Sequence, residues 1–139
     1  MGKLTKLILI GASTGGPGQI ESILTSLPPL SHCSIIVAQH MVNGFIPSFV
    51  SRIAHNASSP IAVAKDGMVL EAGAIYMCQG QTSVEIKANQ PYFCYKPSSP
   101  NGYNPHIDTL FSSLVAFAKE IEIQCCLLYT SPSPRDRTR

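Results

Sequence analysis

Lys6-Leu-Ile-Leu-Ile-Gly-Ala-Ser-Thr-Gly-Gly-Pro17 decides the fold. Leu7–Ile10 is apolar, rich in β-branched residues and closed by glycine, the texture of a strand buried on both faces. Gly11–Gly16 is a glycine-rich turn. Pro17 suits the first turn of a helix, and Ile20, Ile23, Leu24 and Leu27 follow at helical spacing. Pro28-Pro29 stops that helix. Ser34–Ala38 reads as a second buried strand, and a second helix is expected over Pro47–His55, with Phe49, Val50 and Ile53 on one side. Strand, turn, helix, repeated, is the opening of an α/β fold: a doubly wound, mostly parallel sheet of Rossmann-like type.

Beyond residue 60 the texture changes. Ile61–Ala64, Ala74–Cys78, Thr82–Lys87 and Tyr92–Tyr95 are short β-like pieces punctuated by Gly67, Gly73, Gly80 and Asn89, which predicts a β-hairpin excursion. Lys96–Pro105 is a loop. Asp108 reads as a helix cap or first-turn acid ahead of Leu110, Phe111, Leu114, Val115 and Ala118. Ile121–Leu128 is expected to be another buried strand. Tyr129–Arg139 has no apolar period and carries Pro132 and Pro134, which exclude a regular helix or a central strand. The run Leu127–Arg139 reads as linker sequence joined to an interrupted gene, so the domain is placed at 1–126 and 127–139 is set aside as a non-native or disordered tail.

The bulk numbers agree with one domain. The chain has 139 residues, 45% hydrophobic and 13% charged, with a net charge of +2. Arg135, Arg137 and Arg139 lie in the last five residues, so the body is nearly neutral and a nucleic-acid footprint is not supported. Five cysteines form no C-x-x-C pair and no metal-ligand spacing with the four histidines, which predicts reduced, mostly buried thiols and no metal site. The Leu7–Ile10 run is too short for a signal peptide or a membrane span. A cytoplasmic chain, not membrane-inserted, is expected.

Chemistry is expected where the strands end, because ligands of such sheets bind beyond the carboxyl ends of the strands. Both Ser13 and His40 follow strand ends directly. Gly11–Gly16 lacks the lysine of a phosphate loop, and the second strand carries no acid to hold a ribose. Gly11-Ala-Ser-Thr-Gly15 does fit G-x-S-x-G, in which small neighbours allow a tight turn that exposes the hydroxyl. The helix start behind it offers N–H groups to an oxyanion. The bland alternative for Ser13 is a helix cap. A serine nucleophile needs a base, and His40 on the adjacent rim supplies one. His32 and His55 are expected to be solvated, and His106 is a weaker second candidate. An ordinary α/β-hydrolase is disfavoured, since there the nucleophile follows several strands and the histidine comes last.

Ile10-Gly-Ala-Ser-Thr-Gly-Gly-Pro17, Ala38-Gln-His-Met41 with Gly44-Phe45 soon after, Ala64-Lys-Asp-Gly67, Gly73-Ala-Ile-Tyr76 and Asp108-Thr-Leu-Phe111 occur together and in order. In this the chain resembles the catalytic domain of the chemotaxis protein-glutamate methylesterase, CheB, over residues 5 to 126. The resemblance implies a serine hydrolase, without cofactor or metal, acting on methylated glutamates in the cytoplasmic helices of chemoreceptors (methyl-accepting chemotaxis proteins). Some members also deamidate receptor glutamines. It puts Ser13 and His40 in the nucleophile and base positions, with Thr14, Gly15, Gly16 and Met41 as active-site neighbours.

Two departures follow from the same comparison. The chain starts almost on its first strand, so no phosphoacceptor receiver domain is expected in cis. The family's triad aspartate sits in a Thr-Gly-Met/Ile-Gly-x-Asp-Gly turn after the last core strand; here Arg135 holds its place. Asp136 lies one position off and Asp108 belongs to another motif, so neither is assigned as the third acid. A chain so arranged is expected to be catalytically dead or nearly so, and poorly stable. Two alternatives stay open: a nucleotide- or phosphate-binding α/β domain, and a non-catalytic receptor-binding module.

Overall fold

The computed structural model describes residues 4–12, 17–39, 45–78, 81–87, 90–96, 110, 112–114 and 121–128. Strand β1 (Lys6–Ala12) leads to helix α1 (Pro17–Ser26), strand β2 (Cys33–Gln39) and helix α2 (Ile46–Ala54). Strands β3 (Ile61–Val63), β4 (Ile75–Met77), β5 (Gln81–Lys87), β6 (Gln90–Lys96) and β7 (Glu122–Leu128) follow. Five of these form one sheet in the order β3-β4-β2-β1-β7, every neighbouring pair parallel, while β5 and β6 form a separate antiparallel hairpin. The expected mostly parallel α/β sheet is what the chain forms.

Alternation along the strands builds two cores, one on each face. Side chains of adjacent strand residues point to opposite faces. Ile10 and Ala12 of β1, Ile35 and Val37 of β2, and Ile75 and Met77 of β4 therefore meet Ile20, Leu24, Phe49 and Ile53 of the two helices. Leu7, Leu9, Ile36, Ala38 and Tyr76 take the other face, under Val84 and Phe93 of the hairpin and Leu110 and Leu114 of a helical stretch. The split follows chain direction. The connections carrying α1 and α2 move one way across the sheet, whereas β3 to β4 and β4 to β7 move back the other way. Right-handed crossovers put connections of opposite direction on opposite faces.

Local causes set the helix limits. α1 stops one residue before Leu27-Pro28, where the position before a proline is driven out of helical geometry. In its last turn Thr25 Oγ1 donates to the Glu21 carbonyl at 2.7 Å and Ser26 Oγ to that of Ser22 at 2.6 Å, local bonds that suit a fraying end. α2 buries Phe49, Val50 and Ile53, the stripe that the sequence predicts, and Ile46 with them. Its Arg52 meets Glu21 of α1 at 3.0 Å and stacks over the Phe49 ring at 5.5 Å. The ion pair is exposed and contributes little; the buried stripe holds the helix. Ile53 is fully buried. Ile53→Ala is therefore expected to lower unfolding stability by about 2–5 kcal/mol in a denaturant titration. A loss below about 1 kcal/mol would mean that α2 is not docked.

Three expectations need correction. Ile61–Ala64 and Ala74–Cys78 are not part of a hairpin excursion: they are β3 and β4, parallel members of the main sheet. The connection between them, 64–74, falls just short of the dozen or so residues usual for a parallel crossover, so its spacing looks like that of a hairpin. Burial tells the difference, since Ile75, Tyr76 and Met77 are all buried, as a strand covered on both faces requires. The last strand, second, is present but is not buried. β7 lies at the sheet's edge with Glu122, Gln124, Cys125 and Cys126 exposed, while Ile123, and Ile121 just before the strand, pack on the core. Third, all five cysteines are thiols, yet only Cys78 is fully buried. The expected helix through Asp108 falls partly on residues outside those described; Leu110 and residues 112–114 are helical.

The hairpin is stapled down by main-chain bonds. Gly67 N–H donates to Phe93 O at 2.8 Å, Phe93 N–H to Met68 O at 2.8 Å and Leu70 N–H to Pro91 O at 3.0 Å. Gly67 makes this possible: it sits at φ +82° in the turn closed by Met68 N–H to Lys65 O, a conformation costly to any side chain. On the other strand, Val84 N–H donates to Ser113 Oγ at 3.0 Å.

Candidate active site

Strands β2, β1 and β7 share one register. Ala12, the last residue of β1, has Gln39 of β2 as its partner on one side and Leu128 of β7 on the other. Parallel neighbours lie about 4.8 Å apart, so the backbone leaves the sheet at positions 12, 39 and 128 along one short line of the carboxyl edge. Ser13 is bonded to Ala12 and His40 to Gln39. The expectation that the strands carrying them are parallel neighbours is met.

This edge is also where the order of the sheet turns. From β1 the chain proceeds through β2 to β3 on one side, and it returns to place β7 on the other. Open α/β sheets bind ligands at such a reversal, beyond the carboxyl ends. Helix α1 begins at Pro17, just past the turn that leaves β1, so its N-terminal N–H groups start at this edge. Ser13, Thr14, Gly15, Gly16, His40 and Met41 themselves lie outside the described residues, as do His106, Asp108 and Asp136.

Other side chains with nucleophilic or titratable groups have structural duties instead. Ser34 is fully buried and its Oγ donates to the Glu71 carbonyl. Ser59 is buried and accepts from Leu30 N–H at 2.9 Å. Burial raises the pKa of the Cys33 thiol, against a smaller lowering by Lys6, so the thiolate is disfavoured. Burial likewise raises the Tyr76 hydroxyl, which accepts from Glu71 N–H at 2.9 Å and donates to Val69 O at 3.3 Å. His32 and His55 are exposed, as expected, His32 before β2 and His55 at the end of α2. Among the described residues no group of three or more His, Cys, Asp or Glu could hold a metal, and no helix is long and apolar enough to cross a membrane.

The motifs divide between the two edges of the sheet. Gly73-Ala-Ile-Tyr76 belongs to the amino edge: Gly73 sits at φ +87°, donates its N–H to Cys33 O at 2.9 Å, and would bring a Cβ to 3.3 Å from Leu30 O. That glycine shapes the approach to β4 and touches no chemistry. A cavity of about 330 Å³ lies at the same edge, lined by Leu30, Ser59, Pro60, Glu71 and Gly73, away from the ends of β1 and β2. Ala64-Lys-Asp-Gly67 leaves the carboxyl end of β3 and forms the turn that holds the hairpin. Sequence reasoning takes Phe45 only as part of the Gly44-Phe45 motif and does not foresee that its ring lies exposed at the start of α2. The available signal was an aromatic residue at a helix start, where polar caps are the rule.

Comparison with known proteins agrees with this architecture. The family model described as CheB methylesterase matches residues 8–128. The protein-glutamate methylesterase/protein-glutamine glutaminase 3 of Vibrio cholerae is 32% identical over 127 residues, covering 88% of this chain and 35% of that protein. The protein-glutamate methylesterase/protein-glutamine glutaminase of Geobacillus kaustophilus is 35% identical over 114 residues, covering 79% of this chain and 32% of its own length. The chain thus spans about a third of the curated relatives it matches. The crystal structure of the Thermotoga maritima CheB methylesterase catalytic domain superposes with a TM-score of 0.75 at 24% identity, over 90% of this chain and 66% of that one, a likeness of fold.

Proposed function

The chain belongs to the CheB methylesterase family, and on that premise we propose that it is a serine hydrolase for γ-glutamyl methyl esters. Ser13 is the nucleophile and His40 its base. The observation that carries this reading is the Ala12–Gln39 pairing, which starts both residues from neighbouring points of one edge.

The chemistry is acyl transfer. Ser13 Oγ attacks the ester carbonyl while His40 accepts its proton. Backbone N–H groups of the Gly11–Gly16 turn, backed by the start of α1, hold the oxyanion. Collapse breaks the bond to the methoxy group, which leaves as methanol with the proton from His40. Water, deprotonated by the same imidazole, then splits the acyl-enzyme into glutamate and free Ser13. With a glutamine side chain the same steps release ammonia, and the names of the relatives carry both activities. Thr14, Gly15, Gly16 and Met41 flank the reacting groups. The partners are the cytoplasmic helices of chemoreceptors, which makes the chain a cytoplasmic protein of chemotactic adaptation.

A methylated chemoreceptor cytoplasmic domain, incubated with the chain completed by a triad acid after β7, is expected to lose methyl groups as methanol at a rate proportional to the protein added. Saturable nucleotide binding with no methanol and no serine labelling would instead favour a phosphate-binding domain.

A further inference from the structure

Phe45 is the large hydrophobic side chain left exposed among the described residues, with 64% of its surface accessible. A single exposed apolar residue is ordinary. Its position is what sets Phe45 apart. β2 reaches the carboxyl edge at Gln39, and α2 must run back to begin β3 at Ile61, parallel to the other strands. Ser59, beyond the end of α2, bonds Leu30 ahead of β2, so that end lies at the amino edge. The start of α2, with Phe45, therefore faces the edge from which Ser13 and His40 depart.

Phe45 serves neither of the local purposes open to it. At the N-cap position it offers no oxygen to the free N–H groups of the first turn, where serine or aspartate would. It also adds nothing to the core, although its neighbour Ile46 is fully buried and Phe49 nearly so. Residues that break local rules without structural gain are expected at functional sites.

The segments that leave β1 and β2 carry no formal charge, whereas Lys65 and Asp66 lie exposed beyond the carboxyl end of β3. Residues 7–20 and 33–51, which include the segments leaving Ala12 and Gln39, contain no Asp, Glu, Lys or Arg. Glu21 and Arg52, the charges that follow these two stretches, are paired with each other at 3.0 Å. Uncharged segments leaving β1 and β2, with one aromatic projecting beside them, suit an uncharged ester rather than an ionised ligand.

We infer that Phe45 is a positioning residue for the substrate protein, its ring packing on an apolar side chain of the receptor helix beside the esterified glutamate. This rests on the hydrolase reading above. Two quantities test it in the 139-residue chain: the rate of Ser13 modification by a small fluorophosphonate, and affinity for a methylated chemoreceptor cytoplasmic domain. Phe45→Ser supplies a good cap, so thermal stability should not fall. It is expected to weaken receptor affinity about tenfold more than it slows fluorophosphonate modification. Phe45→Leu, still apolar, should recover most of that difference. A wild-type chain that is labelled while Phe45→Ser alters both quantities equally, or neither, overturns the role of Phe45 alone. So does a labelled wild-type chain that fails to bind the receptor domain. A wild-type chain that is not labelled at all overturns the hydrolase reading, and this one with it.

Discussion

With a triad acid restored after β7, Ser13→Ala is expected to abolish covalent labelling by fluorophosphonates and to cut methanol release by on the order of 10⁴ to 10⁶. The size follows from the mechanism, because without the hydroxyl no acyl-enzyme forms and only oxyanion stabilisation and binding remain. The fold should be indifferent. Position 13 follows the last paired residue of β1, and the β1 core residues Leu7, Leu9, Ile10 and Ala12 are untouched. Thermal melting therefore separates a chemical loss from a structural one. An unchanged melt with activity above a few per cent would point to another nucleophile.

The second large effect is a gain. A triad base needs an acid to fix its tautomer, and loss of that acid with geometry intact costs on the order of 10⁴ in kcat. Resemblance to the family puts Arg135 where that aspartate would stand. β7 pairs in parallel with β1, and Leu128 is the partner of Ala12, so the chain leaves β7 at the edge that also emits Ser13 and His40. We propose that a family-type Thr-Gly-Met-Gly-x-Asp-Gly turn after β7, with the helix that follows it, supplies the missing carboxylate. Replacing residues 129–139 by that segment should raise methanol release by on the order of 10⁴, with a concurrent rise in Tm as the edge strand gains cover. A graft that folds, melts higher and turns over no faster would show that the acid comes from elsewhere.

How far the sequence could be read depended on how local the signals were. β1, α1, β2 and α2 were legible because each carries its own period and its own stop, such as the Pro28-Pro29 pair after α1. The neighbouring placement of β1 and β2 was legible too, since a short right-handed crossover leaves few other choices. β3 and β4 were misplaced because three-residue strands have no period, and their membership of the main sheet is decided by distant partners in β2. The exposure of β7 was likewise invisible. Ile121, Ile123 and the adjacent Cys125 and Cys126 look like core until the strand's place at the sheet's edge is known. At the site, the turn chemistry around Ser13 stood out, whereas the exposure of Phe45 depends on how α2 docks. An aromatic amid Ile46, Phe49 and Val50 reads as core in any linear scan.

The central claim is that the hydroxyl following β1 is an activated nucleophile, and the position of a covalent adduct tests it most directly. After reaction with a fluorophosphonate and tryptic digestion, the segment from Leu7 to Arg52 forms one peptide, since no lysine or arginine lies between Lys6 and Arg52. Fragmentation of that peptide should place the phosphonyl group on Ser13, and His40→Gln should slow its formation by at least tenfold. An adduct on Ser34, Ser48 or any serine outside the peptide, or an unmodified chain under conditions that label other serine hydrolases, would contradict the account.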